Sequence, residues 1–169
     1  MSNPKERLVQ WLRDAHAMEE QAETMIGGQV SRIENYPELR DRMKQHLEET
    51  RRQAERIEMC LKRLGEDAST MKDAGGKIMA MGQAMSGMFV GDEVVKASLA
   101  SYTFEHMEIA SYRILIATAK LAGDAETQRV CEEILREEEA MAEWLKSHLA
   151  GVTQQFLSRD QQSGVTAKH

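Results

Sequence analysis

The sequence predicts an all-α fold, a bundle of four long antiparallel helices, and three observations predict it. Two prolines, 5% aromatic residues and 30% charged residues suit long amphipathic helices, whereas sheets draw on Val, Ile, Thr and aromatic side chains. Apolar residues recur at alternating steps of three and four along four stretches of chain, which keeps them on one helical face. Between the stretches stand prolines, glycines and acidic caps where helices start and stop. At 169 residues the chain fits one domain, here 1–157, with a polar tail over 158–169.

Asn3, Pro4 and Glu6 open the first helix, about 4–30, as cap, first helical residue and capping-box partner. Its stripe is Leu8, Leu12, Ala15, Glu19, Ala22 and Ile26, with one carboxylate interrupting it. The link around Gly27 to Tyr36 ends this helix. Pro37 opens the second, 37–64, with Glu38 where the helix dipole favours an anion. Its seam is Leu39, Met43, His46, Thr50, Gln53, Ile57, Cys60 and Leu64, polar in the middle, and Gly65 stops it.

Over 70–89, Gly75, Gly76, Gly82 and Gly87 lower helix propensity while Met71, Met79, Met81, Met85 and Met88 supply soft apolar contacts. A short connecting helix is expected there, joining two antiparallel hairpins, its methionines filling core gaps or a dimer contact. The next long helix, 92–122, carries Val95, Ser98, Tyr102, Glu105, Ile109, Tyr112, Ile116 and Ala119 on its seam. Gly123 ends it and Asp124 caps the last helix, 124–157, whose seam is Cys131, Ile134, Glu138, Met141, Leu145, His148 and Val152. So tight a Gly-Asp joint makes this pair antiparallel. Beyond Phe156 the tail is expected to fray.

The formal charge of -6, with basic residues interspersed among acidic ones, argues against a nucleic-acid-binding face. Cys60 and Cys131 lie far apart in helical patterns and read as reduced, buried thiols, which points to the cytoplasm. No targeting segment or membrane-spanning run is seen.

Each long helix plants at least one carboxylate on its buried face, where a charge is costly unless paired, hydrogen-bonded or bound to a metal. Their heights agree. Glu108 lies 15 residues before Gly123 and Glu138 lies 15 after it, so the hairpin brings them level. Glu19 and Glu49 are 30 residues apart, as are Glu108 and Glu138, and one offset of 89 maps the first pair onto the second. The halves look like copies of one helical hairpin, placing four glutamates in one core layer. His46 precedes Glu49 by three residues and Glu105 precedes Glu108 by three, so both extend the layer. Hard oxygen ligands with an imidazole suit two iron or manganese ions.

The segments LRDAHAMEEQ, PELRDRMKQHLEETRRQAERIE, FEHMEIASYRIL and ILREEEAMAEWL are similar to the YciE/YciF family of ferritin-like stress proteins, across all four long helices. The resemblance implies a ferritin-like up-down bundle, dimeric, linked to bacterial stress responses and holding a di-metal centre. Carried over by position, the metal candidates are Glu19, His46, Glu49, Glu105, Glu108 and Glu138. The order His46-x-x-Glu49 reverses the usual Glu-x-x-His of such sites, and Met141 stands where that template puts a histidine after Glu138. Glu137 is the alternative to Glu138, which is preferred for its seam position. Bridging roles are expected for Glu49 and Glu138, terminal ones for Glu19 and Glu108, and nitrogen ligation for His46.

Tyr102 and Tyr112 flank Glu105 and Glu108 by one turn and are expected to support ligands. His16, His106, His148 and His169 are read as surface imidazoles, Trp11 and Trp144 as packing residues, and the runs RDRMKQ, EETRR and REEE as solvated faces. If the protein is an enzyme, the chemistry is that of a di-iron or di-manganese oxidoreductase acting on oxygen or peroxide. The alternative is a metal-free dimeric helical protein with an interaction or structural role, its polar layer fixing helix register. A third reading, iron storage, requires a closed shell of many subunits.

Overall fold

A computed structural model describes residues 3–66, 91–162 and 164–167. Among them all regular structure is helical: α1 (Pro4–Arg32), α2 (Pro37–Arg63), α3 (Glu93–Ala122) and α4 (Ala125–Asp160). The connecting helix expected over 70–89, with its methionines, lies outside the described residues.

Local chemistry sets the helix starts. The Asn3 side chain accepts from the Lys5 and Glu6 backbone N–H groups at 2.7 and 3.1 Å, and Glu6 accepts in return from the Asn3 N–H at 3.2 Å, completing the expected capping box. Pro37 begins α2, and Asp124 caps α4 by accepting from the Thr127 N–H at 3.1 Å. Gly123 ends α3 in the left-handed conformation, φ 71°, which a Cβ would strain.

Ion pairs fix the directions. Arg32 at the end of α1 pairs with Glu93 at the start of α3, and Arg63 at the end of α2 pairs with Asp124, the α4 cap, at 2.6 Å. Arg51 of α2 meets Glu23 of α1 at 2.8 Å, and Arg113 of α3 meets Glu139 of α4 at 2.7 Å. Each of these neighbouring pairs is therefore antiparallel while α2 and α3 run the same way, the arrangement of a ferritin-like bundle made from two hairpins.

Three of the four expected seams are the buried ones. Leu8, Leu12, Ala15, Glu19, Ala22 and Ile26 of α1 are enclosed. So are Leu39 through Cys60 of the α2 seam, and the α4 seam from Cys131 to Val152 except His148. On α3 the expected stripe is buried only in part: Ser98, Glu105, Tyr112 and Ala119 are enclosed and Val95, Tyr102 and Ile116 only partly covered, while Val94, Ser101, Phe104, Glu108 and Leu115 are buried beside them. This helix is apolar around most of its circumference and packs against both α1 and α4, so no single stripe marks its inner face.

Two boundaries differ from expectation. Helix α1 ends at Arg32, two residues past the expected 30, and so runs straight through Gly27 and Gly28, which were expected to begin the link; a Cβ at Gly27 would meet nothing within 4 Å, so this glycine lies on an open face. The tail is not frayed throughout. Helix α4 reaches Asp160, and Ala167 is buried with its carbonyl accepting from the Tyr36 hydroxyl at 2.6 Å. Arg159 donates to the Thr166 carbonyl at 3.0 Å, so the last turn holds the tail against the bundle.

Tyr36→Phe removes the buried hydroxyl that ties the tail and leaves the Ala167 carbonyl without it. We expect a loss of about 1 kcal/mol in urea denaturation together with faster proteolysis after Asp160; unchanged stability and cleavage would contradict the anchoring.

Candidate metal centre

The polar layer sits at mid-height, with every helix contributing. Glu19 comes from α1, His46 from α2, Glu105 and Glu108 from α3, and Glu138 from α4, each 0 or 1% exposed. Ligating atoms of His46, Glu105, Glu108 and Glu138 lie within 4.8 Å of one another. His46 Nε2 is 3.1 Å from Glu105 Oε1 and 3.6 Å from Glu138 Oε2, yet it makes no aligned hydrogen bond.

Glu19 sits beside this cluster. Its Oε1 accepts a short hydrogen bond from the Tyr112 hydroxyl, while Oε2 is buried without a partner. Tyr112 is thus the supporting phenol that the sequence suggested. Tyr102 lies elsewhere, half-buried with its ring edge against exposed His106.

Glu49 is placed differently from the other five. Its side chain is 14% exposed, Oε2 meets His46 Nδ1 at 2.9 Å and Arg42 at 3.2 Å, and Oε1 accepts from Gln45 at 2.9 Å. The charge run RDRMKQ predicts a solvated Arg42, but its side chain is only 12% exposed. The signal was available: Arg42, Gln45, His46 and Glu49 follow helical spacing and share a face. Glu137 turns away from the cluster to Gln53 and Arg56, whereas Glu138 faces inward, which decides between the two sequence alternatives for the inward-facing position.

Six carboxylate oxygens in the layer are buried without a hydrogen-bond partner: one each from Glu19 and Glu105 and both from Glu108 and Glu138. Orphaned buried oxygens cost free energy unless a proton or cation satisfies them. The donor set, oxygens with one imidazole nitrogen, fits iron or manganese rather than a thiolate-held structural zinc.

Burial dominates the protonation of the metal-free layer. It pushes Glu19 up to about 8, against the lowering influence of the Tyr112 hydrogen bond and nearby His46. Burial also holds Glu108 and Glu138 well above the usual carboxylate range, with the neighbouring glutamates adding to it. For His46 burial favours the neutral ring, but Glu105 and Glu49 outweigh it and raise the group to about 9. Burial likewise opposes ionisation of Glu49, yet the hydrogen bond from His46 and the charge of Arg42 bring it down to about 2.

The remaining imidazoles stand apart. His148 stacks on Trp144 at 3.8 Å and its Nε2 lies 3.3 Å from Glu38, while His16 is more enclosed than expected, its side chain 12% exposed. His169 lies outside the described residues. Cys60 and Cys131 are buried free thiols, as expected. No described helix is long and apolar enough to cross a membrane. A cavity of about 200 Å³ between α1 and α3 is lined by Trp11, Ala15, Met18, Met107 and Leu115, and none of the clustered carboxylates borders it.

Two antiparallel hairpins around a mid-height carboxylate and imidazole layer define a ferritin-like helical bundle. The chain belongs to the family described as "Domain of unknown function (DUF892)", whose model matches residues 3–158. A solved protein of Xanthomonas campestris pv. campestris is 44% identical, with a TM-score of 0.78, over 94% of this chain and 99% of its own. YcfI of Rhodopseudomonas palustris, called a proposed structural protein, is 26% identical, with a TM-score of 0.69, over 86% of this chain and 94% of its own. The Escherichia coli stress protein YciF shares the fold at 23% identity, with a TM-score of 0.70, over 89% of this chain and 96% of its own. The resemblance read from the four helical segments is therefore carried by fold and family alike.

The layer gives the metal-free protein a pH signature. An unfolded glutamate ionises near 4.5 and folded Glu19 near about 8, so its contribution to stability is complete below the first value and lost as pH rises through the second. Glu108 and Glu138 act in the same sense, and Glu49 in the opposite sense only toward about 2. The melting temperature of chelator-treated protein is expected to fall between about pH 5 and about pH 8, with a shallower fall in Glu138→Gln; a flat profile would contradict this.

Proposed function

We propose that the protein is a ferritin-like stress-response protein that binds two iron or manganese ions in its core layer. The observation that carries the reading is the group of six buried carboxylate oxygens without partners around a misaligned imidazole nitrogen. His46, Glu105, Glu108 and Glu138 form the centre of the ligand set, and Glu19 joins through its free oxygen. Iron or manganese, when bound, supplies one-electron redox chemistry toward oxygen or peroxide that these side chains lack. The chain's own part is to hold hard oxygen donors at fixed height, to keep bulk water out through complete burial, and to orient Glu19 through the hydrogen bond that the Tyr112 hydroxyl donates to its Oε1.

The stress role is carried over from the stress protein YciF, whose fold this chain shares. Cytoplasmic residence is supported by the two free buried thiols. A homodimer, proposed with it, is supported by α3: Leu99, Ile114 and Leu121 are 50, 53 and 78% exposed on one stripe of a helix whose other faces are covered. Light scattering is expected to give two chains per particle, and a shell of many subunits would turn the reading to iron storage.

One observation favours the metal-free reading. Glu19 is held up to about 8, so protons can neutralise it near pH 7 without a cation, leaving a polar layer that fixes helix register. Metal content separates the two. Protein loaded anaerobically with Fe(II) or Mn(II) is expected to retain about two ions per chain and to melt higher than the metal-free form, whereas a Glu105→Gln, Glu138→Gln double variant retains none. Wild-type protein that keeps no ion and melts unchanged would give the function to the interaction protein.

A further inference from the structure

Glu49 has the sequence position of a bridging ligand and the surroundings of something else. Both of its oxygens are taken by donors from its own helix: Gln45 Nε2 at 2.9 Å on Oε1, and His46 Nδ1 at 2.9 Å with Arg42 Nη1 at 3.2 Å on Oε2. The six orphaned oxygens of the layer belong to other residues. Glu49 is also the one candidate that is not fully enclosed.

Its contact with His46 has a directional consequence. The ring is completely buried, and with Nδ1 fixed by Glu49 the opposite nitrogen Nε2 can only face Glu105 and Glu138, from which it stands 3.1 and 3.6 Å away. A carboxylate on the far nitrogen fixes the tautomer and the ring plane of a metal-binding histidine and raises its basicity.

We propose that Glu49 is a positioning residue rather than a ligand: braced by Arg42 and Gln45, it holds the His46 Nδ1–H and aims Nε2 into the cluster of Glu105, Glu108 and Glu138. The proposal rests on the metal-binding reading above. It assigns a role to Arg42, and it explains the reversed His46-x-x-Glu49 order. The histidine comes first because it points inward, and the glutamate one turn later backs it from the flank.

The test is anaerobic titration of the full chain with Co(II), whose absorption reports both ion count and coordination, on Glu49→Gln, Glu49→Ala and wild type. The Gln carbonyl still accepts from Nδ1–H, so Glu49→Gln should keep the wild-type ion count and nearly its affinity. Glu49→Ala should keep the count and the coordination spectrum but bind about 10–100-fold more weakly. An ion lost from either variant, or unchanged affinity in Glu49→Ala, overturns the proposal. Should Glu49→Ala fail to fold, Glu49→Gln alone decides, since a ligand role costs an ion there. If wild type binds no Co(II), the functional reading fails and proton NMR of the metal-free protein judges the positioning separately. A slowly exchanging His46 Nδ1–H resonance, kept in Glu49→Gln and lost in Glu49→Ala or Arg42→Met, supports it; its absence from wild type overturns it.

Discussion

Four glutamates with 0 or 1% exposure face a single imidazole at the centre of this bundle, and His46 can neutralise only one of them. That excess of negative charge is the constraint on which the rest of the layer depends. Taking a carboxylate from water costs several kcal/mol even after relaxation, and like charges gathered within a few ångströms add to it. The apolar layers on either side, with Leu8, Leu12, Ile57, Leu61 and Ile134 toward one end and Ile26, Leu39, Met43 and Leu145 toward the other, hold the helices together strongly enough to impose that cost. Without compensation the glutamates take up protons, as the raised Glu19, Glu108 and Glu138 indicate; with a dication they need not.

The site is assembled from two similar hairpins but is not symmetric. The offset that carries Glu19 onto Glu108 also carries Glu49 onto Glu138, and the first match holds in three dimensions better than the second. Glu19, Glu108 and Glu138 are enclosed, whereas Glu49 lies at the flank with Arg42 and leaves its inward place to His46. Glu105 supplies the further carboxylate, and in the first hairpin its counterpart by the same offset is His16, whose nearest carboxylate is Glu20 at 3.8 Å. The divergence turns a repeated scaffold into a site with one nitrogen ligand aimed across the bundle.

Much of this was legible in the sequence, for physical reasons that differ by helix. In α1, α2 and α4 a narrow apolar stripe stands against charged faces, so the three-four spacing located Glu19, His46 and Glu138 on the buried side without any structure. In α3 the surroundings are apolar on several sides, so the spacing found only part of the buried face, naming Ser98, Glu105, Tyr112 and Ala119 but missing Phe104 and Leu115, while Glu108 was found by its height relative to Gly123. Which way Glu49 turns was not legible, because it depends on whether a half-buried carboxylate finds donors on its own helix. The anchored tail was hidden for a similar reason: Tyr36 and Ala167 are far apart in sequence, and no local pattern announces their hydrogen bond.

The central claim, that a cation and not protons alone compensates the buried carboxylates, is tested most directly by anomalous diffraction from crystals grown with Mn(II) near neutral pH. The account predicts anomalous density enclosed by His46 Nε2 and the carboxylates of Glu105, Glu108 and Glu138, within bonding distance of each. A layer without anomalous density, its carboxyl groups hydrogen-bonded to one another in the presence of excess Mn(II), would contradict it.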